Sequence, residues 1–206
     1  MAQQLRPTTT AAPSTTLASA LWPASTDASG LIRAVLLAIV GTVLLTISAK
    51  VKVPFYPVPM TMQTLVVLVL GAAYGSRLAA AAVLLYLVEG ALGLPVFADT
   101  PERGIGLAYM MGPTGGYLIG FLAGAWVVGR LAELGYGRSL ATMFVAMSVG
   151  HAAIFLGGFS WLAMLIGPKA AWLGGVAPFF WATLLKTMLG TALVPALWSV
   201  LDRRAN

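Results

Sequence analysis

The sequence predicts an all-α integral membrane protein, a compact bundle of six transmembrane helices. Hydrophobic residues make up 59% of the 206 residues, charged residues make up 9%, and the mean hydropathy is +0.91. A soluble domain usually contains about 25% charged residues, so this chain has too little polar surface for water. Apolar runs separated by prolines, glycines and charges give the six expected helices.

Composition argues against several other function classes. The chain has no cysteine and one histidine, which removes disulfides, thiolate nucleophiles and cysteine-ligated metals. An intramembrane enzyme would need a nucleophile with a base or a metal site, so we expect no catalytic residues, metal or cofactor. The net charge of +6 comes from scattered basic residues rather than a basic stripe, which argues against nucleic acid as a partner.

Residues 1–29 are rich in Ser, Thr, Ala and Pro and are predicted to form a disordered cytoplasmic tail ahead of the membrane domain, residues 30–206. The first span, residues 31–49, contains Ala34 and Ala38. Small residues at this spacing let two membrane helices approach closely, although chance is an alternative in an alanine-rich chain. Arg33 is expected to snorkel to the interface.

The segment 50–59 contains three prolines and cannot continue a helix. Its apolar and aromatic content indicates either a lid or an interfacial connection. The second span, residues 60–74, is short. Thr61 and Gln63 at its start are candidates for the mouth of a pocket, or they satisfy neighbouring backbone groups.

The third span, residues 78–97, is about 20 residues long, which suits a hydrocarbon core of about 30 Å. Glu89 lies inside it. An ionisable group in a membrane costs roughly 2.5 kcal/mol or more, so Glu89 should face a polar cavity or a partner. Asp99 and Glu102, in the connection that follows, are interpreted as solvated loop charges.

The fourth span, residues 112–128, opens with glycines that permit close packing or leave room for a ligand. Tyr117 is a candidate hydrogen-bonding group for that ligand, against the alternative of an interfacial anchor. His151, in the fifth span (residues 140–166), is interpreted as a satisfied polar core group.

The sixth span, residues 178–201, contains Lys186, with Thr183 three residues earlier on the same helix face. A buried ammonium requires an anion. That anion is either a ligand carboxylate or Glu89 in a structural ion pair.

The distribution of basic residues favours an orientation with both termini in the cytoplasm. The segment 50–59, the connection 98–109 and the glycine-rich start of the fourth span then meet on the outer side. The predicted inner side carries more basic residues, namely Arg6, Arg33, Arg77, Arg130, Arg138, Arg203 and Arg204, than the outer side, namely Lys50, Lys52, Arg103 and Lys169.

Three ordered motifs carry a family resemblance. They are residues 53–65, Tyr86 with residues 90–98, and residues 112–121. In this order they resemble the BioY family, biotin-capturing membrane subunits (S components) of energy-coupling-factor transporters. The resemblance extends from about Ala34 to the C-terminus.

The resemblance implies a six-helix substrate-binding protein in the plasma membrane, with biotin held near the outer face under the loop after the first helix. It also implies separate partners, a transmembrane coupling protein and ATPase subunits. Ala34 and Ala38 match the pattern with which the family contacts the coupling protein. Consistently, the sequence has no Gly-x-x-x-x-Gly-Lys-Ser/Thr phosphate loop.

The resemblance assigns Lys186 to one end of the ligand, but Thr183 stands where many relatives carry Asp. We hypothesise that Glu89 supplies the missing acceptor, since a carboxylate accepts hydrogen bonds well from the two N–H groups of a cyclic urea. The alternative function is a self-sufficient vitamin transporter in which Glu89 cycles protons.

Overall fold

The computed structural model describes residues 16–23, 28–54 and 56–205, and most of these residues are helical. The prediction of an all-α protein is confirmed. The α-helices are α1 (Leu17–Leu21), α2 (Ala28–Lys50), α3 (Gln63–Tyr74), α4 (Ser76–Ala91), α5 (Gly106–Met110), α6 (Gly115–Glu133), α7 (Leu140–Ile166), α8 (Pro168–Gly175) and α9 (Phe180–Ala205), with 3-10 turns at Tyr136–Arg138 and Ala177–Phe179. Strands β1 (Lys52–Val53) and β2 (Met60–Thr61) pair antiparallel and are called the ribbon.

The predicted count of six spanning helices is not confirmed. Four segments within the described ranges are long and apolar enough to cross a membrane, namely Ala28–Lys50, Gly115–Glu133, Leu140–Ile166 and Pro168–Arg204. Helices α3 and α4 have 12 and 16 residues. At 1.5 Å per residue they are about 18 and 24 Å long, short of a hydrocarbon core of about 30 Å. Gly75, with φ of 82°, ends α3 and separates it from α4.

The third predicted helix ends earlier than expected, because the chain turns back after Ala91. Gly93 adopts φ of 96°, and Pro95 cannot continue a helix. Phe97 folds over Gly90 and is 1% exposed, with its ring centroid 5.3 Å from that of Tyr86. Glu89 therefore lies in the last turn of α4 and not in the middle of a long span.

The centre of the bundle is the contact between α6 and α7, which glycines make close. A Cβ added at Gly116 would lie 2.4 Å from the Gly157 carbonyl oxygen, and one at Gly120 would lie 2.7 Å from that of Ile154. These backbones can approach only because the side chains are absent, as in other small-residue membrane contacts. The prediction that the glycines at the start of the fourth span permit close packing is confirmed for Gly116.

Part of the predicted disordered tail is a helix. Leu17 and Ala18 of α1 are buried, and Arg33 Nη2 donates a hydrogen bond of 2.9 Å to the Ala18 carbonyl oxygen. Arg33 is 7% exposed, so the expectation that it snorkels outward is wrong. Its guanidinium instead packs inside the protein and binds the backbone of α1. Residues 1–15 and 24–27 of the predicted tail lie outside the described residues.

We predict that Gly90→Val destabilises the fold by about 1–3 kcal/mol, the usual cost of overpacking. A Cβ at this position would lie 2.0 Å from Cζ of Phe97. The measurement is the midpoint of thermal unfolding in detergent, with Ala91→Val on the neighbouring, half-buried residue as control. In a Phe97→Ala background, which lacks the ring, Gly90→Val should be nearly neutral. Equal losses in both valine variants would contradict the prediction.

Candidate functional site

A cavity of about 50 Å³ lies beneath the ribbon, between α3, α6, α7 and α9. It is lined by five of the six residues that the sequence predicts to contact a ligand, which are Thr61, Gln63, Tyr117, Thr183 and Lys186. The fold thus brings the second, fourth and sixth predicted spans to one point. Val58, Pro59 and Ala98 close the cavity from the ribbon end, so the segment 50–59 contributes a lid, as one of the two interpretations predicted.

Lys186 is the charged group of the cavity. The residue is 6% exposed, and its Nζ donates to the Thr61 carbonyl oxygen at 2.7 Å and to Thr64 Oγ1 at 3.3 Å. Both acceptors are neutral. None of the ion pairs within the described ranges involves Lys186. An ammonium has three N–H donors, so one remains for an incoming acceptor.

Gln63 and Thr61 have structural contacts as well as a place on the cavity wall. Gln63 Nε2 donates to Tyr86 Oη at 2.6 Å, and Tyr86 Oη donates to the Val96 carbonyl oxygen at 3.0 Å. Thr61 Oγ1 accepts from the Gln63 backbone N–H at 3.3 Å. These side chains therefore satisfy neighbouring polar groups, as one alternative predicted, and they also line the cavity, as the other predicted.

Aromatic rings form the apolar wall. Tyr117 Oη donates to the Gly175 carbonyl oxygen at 2.6 Å, so the residue presents its ring to the cavity while its hydroxyl proton binds the backbone. Phe155 packs edge-on against Tyr117, with centroids 6.1 Å apart, and against Phe179, 6.2 Å apart. Neither phenylalanine is among the residues predicted from the sequence. Phe155 could have been found from its spacing, because it lies one helical turn after His151.

Glu89 does not line the cavity. The predicted ion pair between Glu89 and Lys186 is not among those of the described residues. On α4 the buried positions Tyr86 and Gly90 face inward. Glu89 precedes Gly90 by one residue, which is about 100° around the helix, and it is half-buried. The structure therefore does not bring a substitute carboxylate to the position beside Thr183.

His151 is partly satisfied, as expected for a core group. Its Nδ1 lies 3.1 Å from the Met147 carbonyl oxygen and 3.0 Å from Thr187 Oγ1. A carbonyl can only accept, so Nδ1 carries the proton. Nε2 is buried without a hydrogen-bond partner among the described residues.

Charged residues fasten the lid, contrary to the interpretation of Asp99 as a solvated loop charge. Asp99 is ion-paired with Lys52 of the ribbon and with Arg103, whose Nε lies 3.5 Å from Asp99 Oδ2. Lys50 Nζ donates to the carbonyl oxygens of Phe97 at 2.9 Å and Thr100 at 3.0 Å. The Lys52 pair joins the ribbon to the loop 92–105, and the Lys50 hydrogen bonds join the end of α2 to the same loop.

One further cavity residue, Tyr109, belongs to the short helix α5. Burial raises the pKa of Tyr109 above its usual value, which keeps the hydroxyl protonated and neutral at physiological pH. The remaining predicted residues, Ala34 and Ala38, are half-buried in the first half of α2 and do not line the cavity.

These features define the class of protein to which the chain belongs. The chain is an all-helical membrane protein with a covered cavity at one end, lined by rings, hydroxyl and amide groups and one ammonium. Such an arrangement suits a small molecule with an apolar body, hydrogen-bonding groups and an anionic group.

The family follows from the comparison with known sequences. The model of the BioY family matches residues 15–203, and the chain belongs to this family. It is 35% identical over 153 residues to a probable biotin transporter BioY of Pyrococcus horikoshii, covering 74% of this chain and 87% of that protein. It is likewise 35% identical to the biotin transporter BioY of Thermotoga maritima, covering 74% of this chain and 88% of that protein.

A solved structure has the same fold. It is the crystal structure of the S-component for biotin from an ECF-type ABC transporter, with a TM-score of 0.72. The match covers 85% of this chain and 95% of that chain, at 21% sequence identity.

We predict that Asp99→Asn loosens the lid without unfolding the bundle. The pairs are partly exposed and contribute only about 0–1 kcal/mol, so the global unfolding temperature should change little. Amide hydrogen exchange should instead become faster in residues 51–61 and 92–105. Asp202→Asn, which breaks an exposed pair with Arg138 elsewhere in the chain, is the control. Unchanged amide exchange in residues 51–61 and 92–105 would contradict the prediction.

Proposed function

We propose that the chain captures biotin in the cavity beneath the ribbon for uptake across the plasma membrane. The observation that carries the proposal is Lys186, a buried ammonium whose acceptors are neutral. A charge in such a place is stabilised by an anion, and biotin ends in a carboxylate. Family membership and the biotin transporters among the relatives support the same substrate.

The other walls suit the rest of the ligand. Thr183 and Gln63 offer polar atoms to the cyclic urea, whose N–H groups and carbonyl require partners once they leave water. Phe155, Phe179 and the ring of Tyr117 offer apolar surface to the aliphatic chain and the sulfur-containing ring. Thr183 contributes a hydroxyl where many relatives have a carboxylate, so we assign it a neutral hydrogen bond.

We infer that transport is energised by separate subunits, a transmembrane coupling protein and ABC-type ATPases. The support is the fold shared with an S-component of an ECF-type ABC transporter. Ala34 and Ala38 are the proposed docking positions for the coupling protein. We further propose that both termini are cytoplasmic and that the lid faces the outside, where biotin arrives.

The alternative, proton coupling through Glu89, is not favoured. Glu89 lies in the last turn of α4 and does not line the cavity that holds Lys186. A carboxylate that couples protons to a substrate would have to sense that substrate at its site.

We predict that Lys186→Ala weakens biotin binding about 30-fold or more, since loss of one partner of a buried charge pair costs about 2–5 kcal/mol. The measurement is calorimetric titration of biotin into the purified chain in detergent. Lys169→Ala, at an exposed position of α8, is the control.

A second titration identifies what Lys186 recognises. The wild type should bind biotin more tightly than its neutral carboxamide, and Lys186→Ala should bind both alike. Glu89→Gln should change neither affinity by more than about twofold, since Glu89 does not line the cavity and a substitution away from the ligand should alter binding by no more than about 0.5 kcal/mol. No binding by the wild type would defeat the proposed substrate. A large loss with Glu89→Gln would revive the alternative.

We predict that Ala34→Leu combined with Ala38→Leu lowers uptake of labelled biotin by cells about tenfold, because bulky side chains prevent close helix contact. Tenfold corresponds to a loss of about 1.4 kcal/mol in the free energy of docking. Binding by the isolated chain should be unchanged, because neither residue lines the cavity. Ala81→Leu, at an exposed position of α4, is the control. Equal uptake by the double variant and the control would contradict the docking assignment.

A further inference from the structure

The cavity is too small for the proposed ligand. Its volume is about 50 Å³, whereas small-molecule sites usually measure about 300 Å³ or more. A vitamin-sized ligand therefore needs more room than this structure leaves, and a wall that yields decides which ligands fit.

Empty space lies directly behind two residues of the cavity wall. A larger depression of about 640 Å³, here called the α7–α9 groove, runs between α7, α8 and α9 and is open to the outside of the bundle. Phe155 and Thr183 line both the cavity and the groove. The mouth of the groove is apolar, with Phe180 and Trp172 both more than half exposed.

Four other residues of the cavity wall are held in place. Tyr117 is fixed by its hydrogen bond to Gly175, and its ring lies against Gly158, where an added Cβ would be 2.3 Å away. Phe121 and Leu118 are buried core residues at 5% and 4% exposure. Lys186 also borders a recess of about 200 Å³, but two hydrogen bonds hold its ammonium at the ribbon.

Phe155 differs from these residues. It is half-buried, and its contacts with Tyr117 and Phe179 are ring contacts at 6.1 and 6.2 Å. An aromatic residue on a helix has two accessible χ1 positions, which point its ring in different directions. Turning the ring towards the groove exchanges one apolar environment for another, with no buried hydrogen bond broken.

We propose that Phe155 is a displaceable wall that determines ligand size, and that the ring moves into the α7–α9 groove when ligand binds. This inference rests on the proposed function. The groove, which is open to the outside of the bundle, is then a reserve of volume for the site.

The test places one bulky side chain in the groove without changing a residue of the cavity. Ala152 lies in the groove at an exposed position and does not line the cavity. Ala152→Trp should weaken biotin binding about tenfold or more, a factor typical of forcing extra atoms into occupied space. The matched control is Ala81→Trp. It fills a depression of about 520 Å³ between α4 and α6 that does not border the cavity.

A double variant shows whether Phe155 is the group that moves. Phe155→Leu with Ala152→Trp should restore binding to within about threefold of Phe155→Leu alone, since a smaller wall requires less room and well-packed aliphatic replacements are tolerated. Phe155→Leu should also accept biotin methylated on its aliphatic chain better, relative to biotin, than the wild type does. All titrations use the purified full chain, with folding checked by thermal unfolding.

The outcomes separate this inference from the proposed function. If the wild type binds biotin and Ala152→Trp binds as Ala81→Trp does, the displaceable wall is wrong and the biotin assignment stands. If Ala152→Trp loses binding and Phe155→Leu does not restore it, the groove acts through some other group and the assignment of Phe155 is wrong. If the folded wild type binds no biotin, both proposals fall.

Discussion

The buried ammonium of Lys186 is the constraint on which the ribbon end of the molecule depends. A charge removed from water must be matched by dipoles or by an opposite charge. Its shortest hydrogen bond here, 2.7 Å, goes to the carbonyl oxygen of Thr61, immediately before α3. That carbonyl lies outside a helix because Thr61 belongs to strand β2, and α3 begins only at Gln63. Strand β2 of the ribbon thus supplies the acceptor that holds the lysine at the cavity.

Holding the ammonium with neutral acceptors has a chemical consequence. An ion pair with Glu89 would have neutralised the charge, and a ligand carboxylate would then have to replace one anion by another. With Thr61 and Thr64 as partners, the site retains its positive charge, and an anionic ligand adds an interaction without breaking one. The absence of a carboxylate at position 183 works in the same direction, since Thr183 does not compete for the lysine.

Much of the fold and site could be predicted from the sequence. The wrong predictions arise where tertiary contacts decide the conformation and the local sequence pattern does not show it. Composition identified an all-helical membrane protein, and the motifs identified Lys186, Thr183, Gln63, Tyr117 and Thr61, which the fold brings to one cavity. Hydropathy could not show that the apolar residues after Ala91 leave the helix and fold back onto it. That error placed Glu89 in the middle of a span. Likewise, Asp99 looks like a loop charge until the ribbon brings Lys52 beside it, because contacts 47 residues apart leave no local pattern.

Helix α2 connects the two ends of the molecule. Lys50, its last residue, binds the carbonyl oxygens of Phe97 and Thr100 in the lid loop. Ala34, a proposed docking position, lies 16 residues earlier on the same helix, about 24 Å away at 1.5 Å per residue. Leu31, Val35 and Ile39 are exposed along this helix, so it is not clamped by the bundle on every side. On the proposed docking at Ala34 and Ala38, a displacement of the lid would act on one end of the helix whose other end meets the coupling protein. Because coupling between two sites is reciprocal, a partner that prefers one position of α2 must also alter the affinity of the cavity for its ligand.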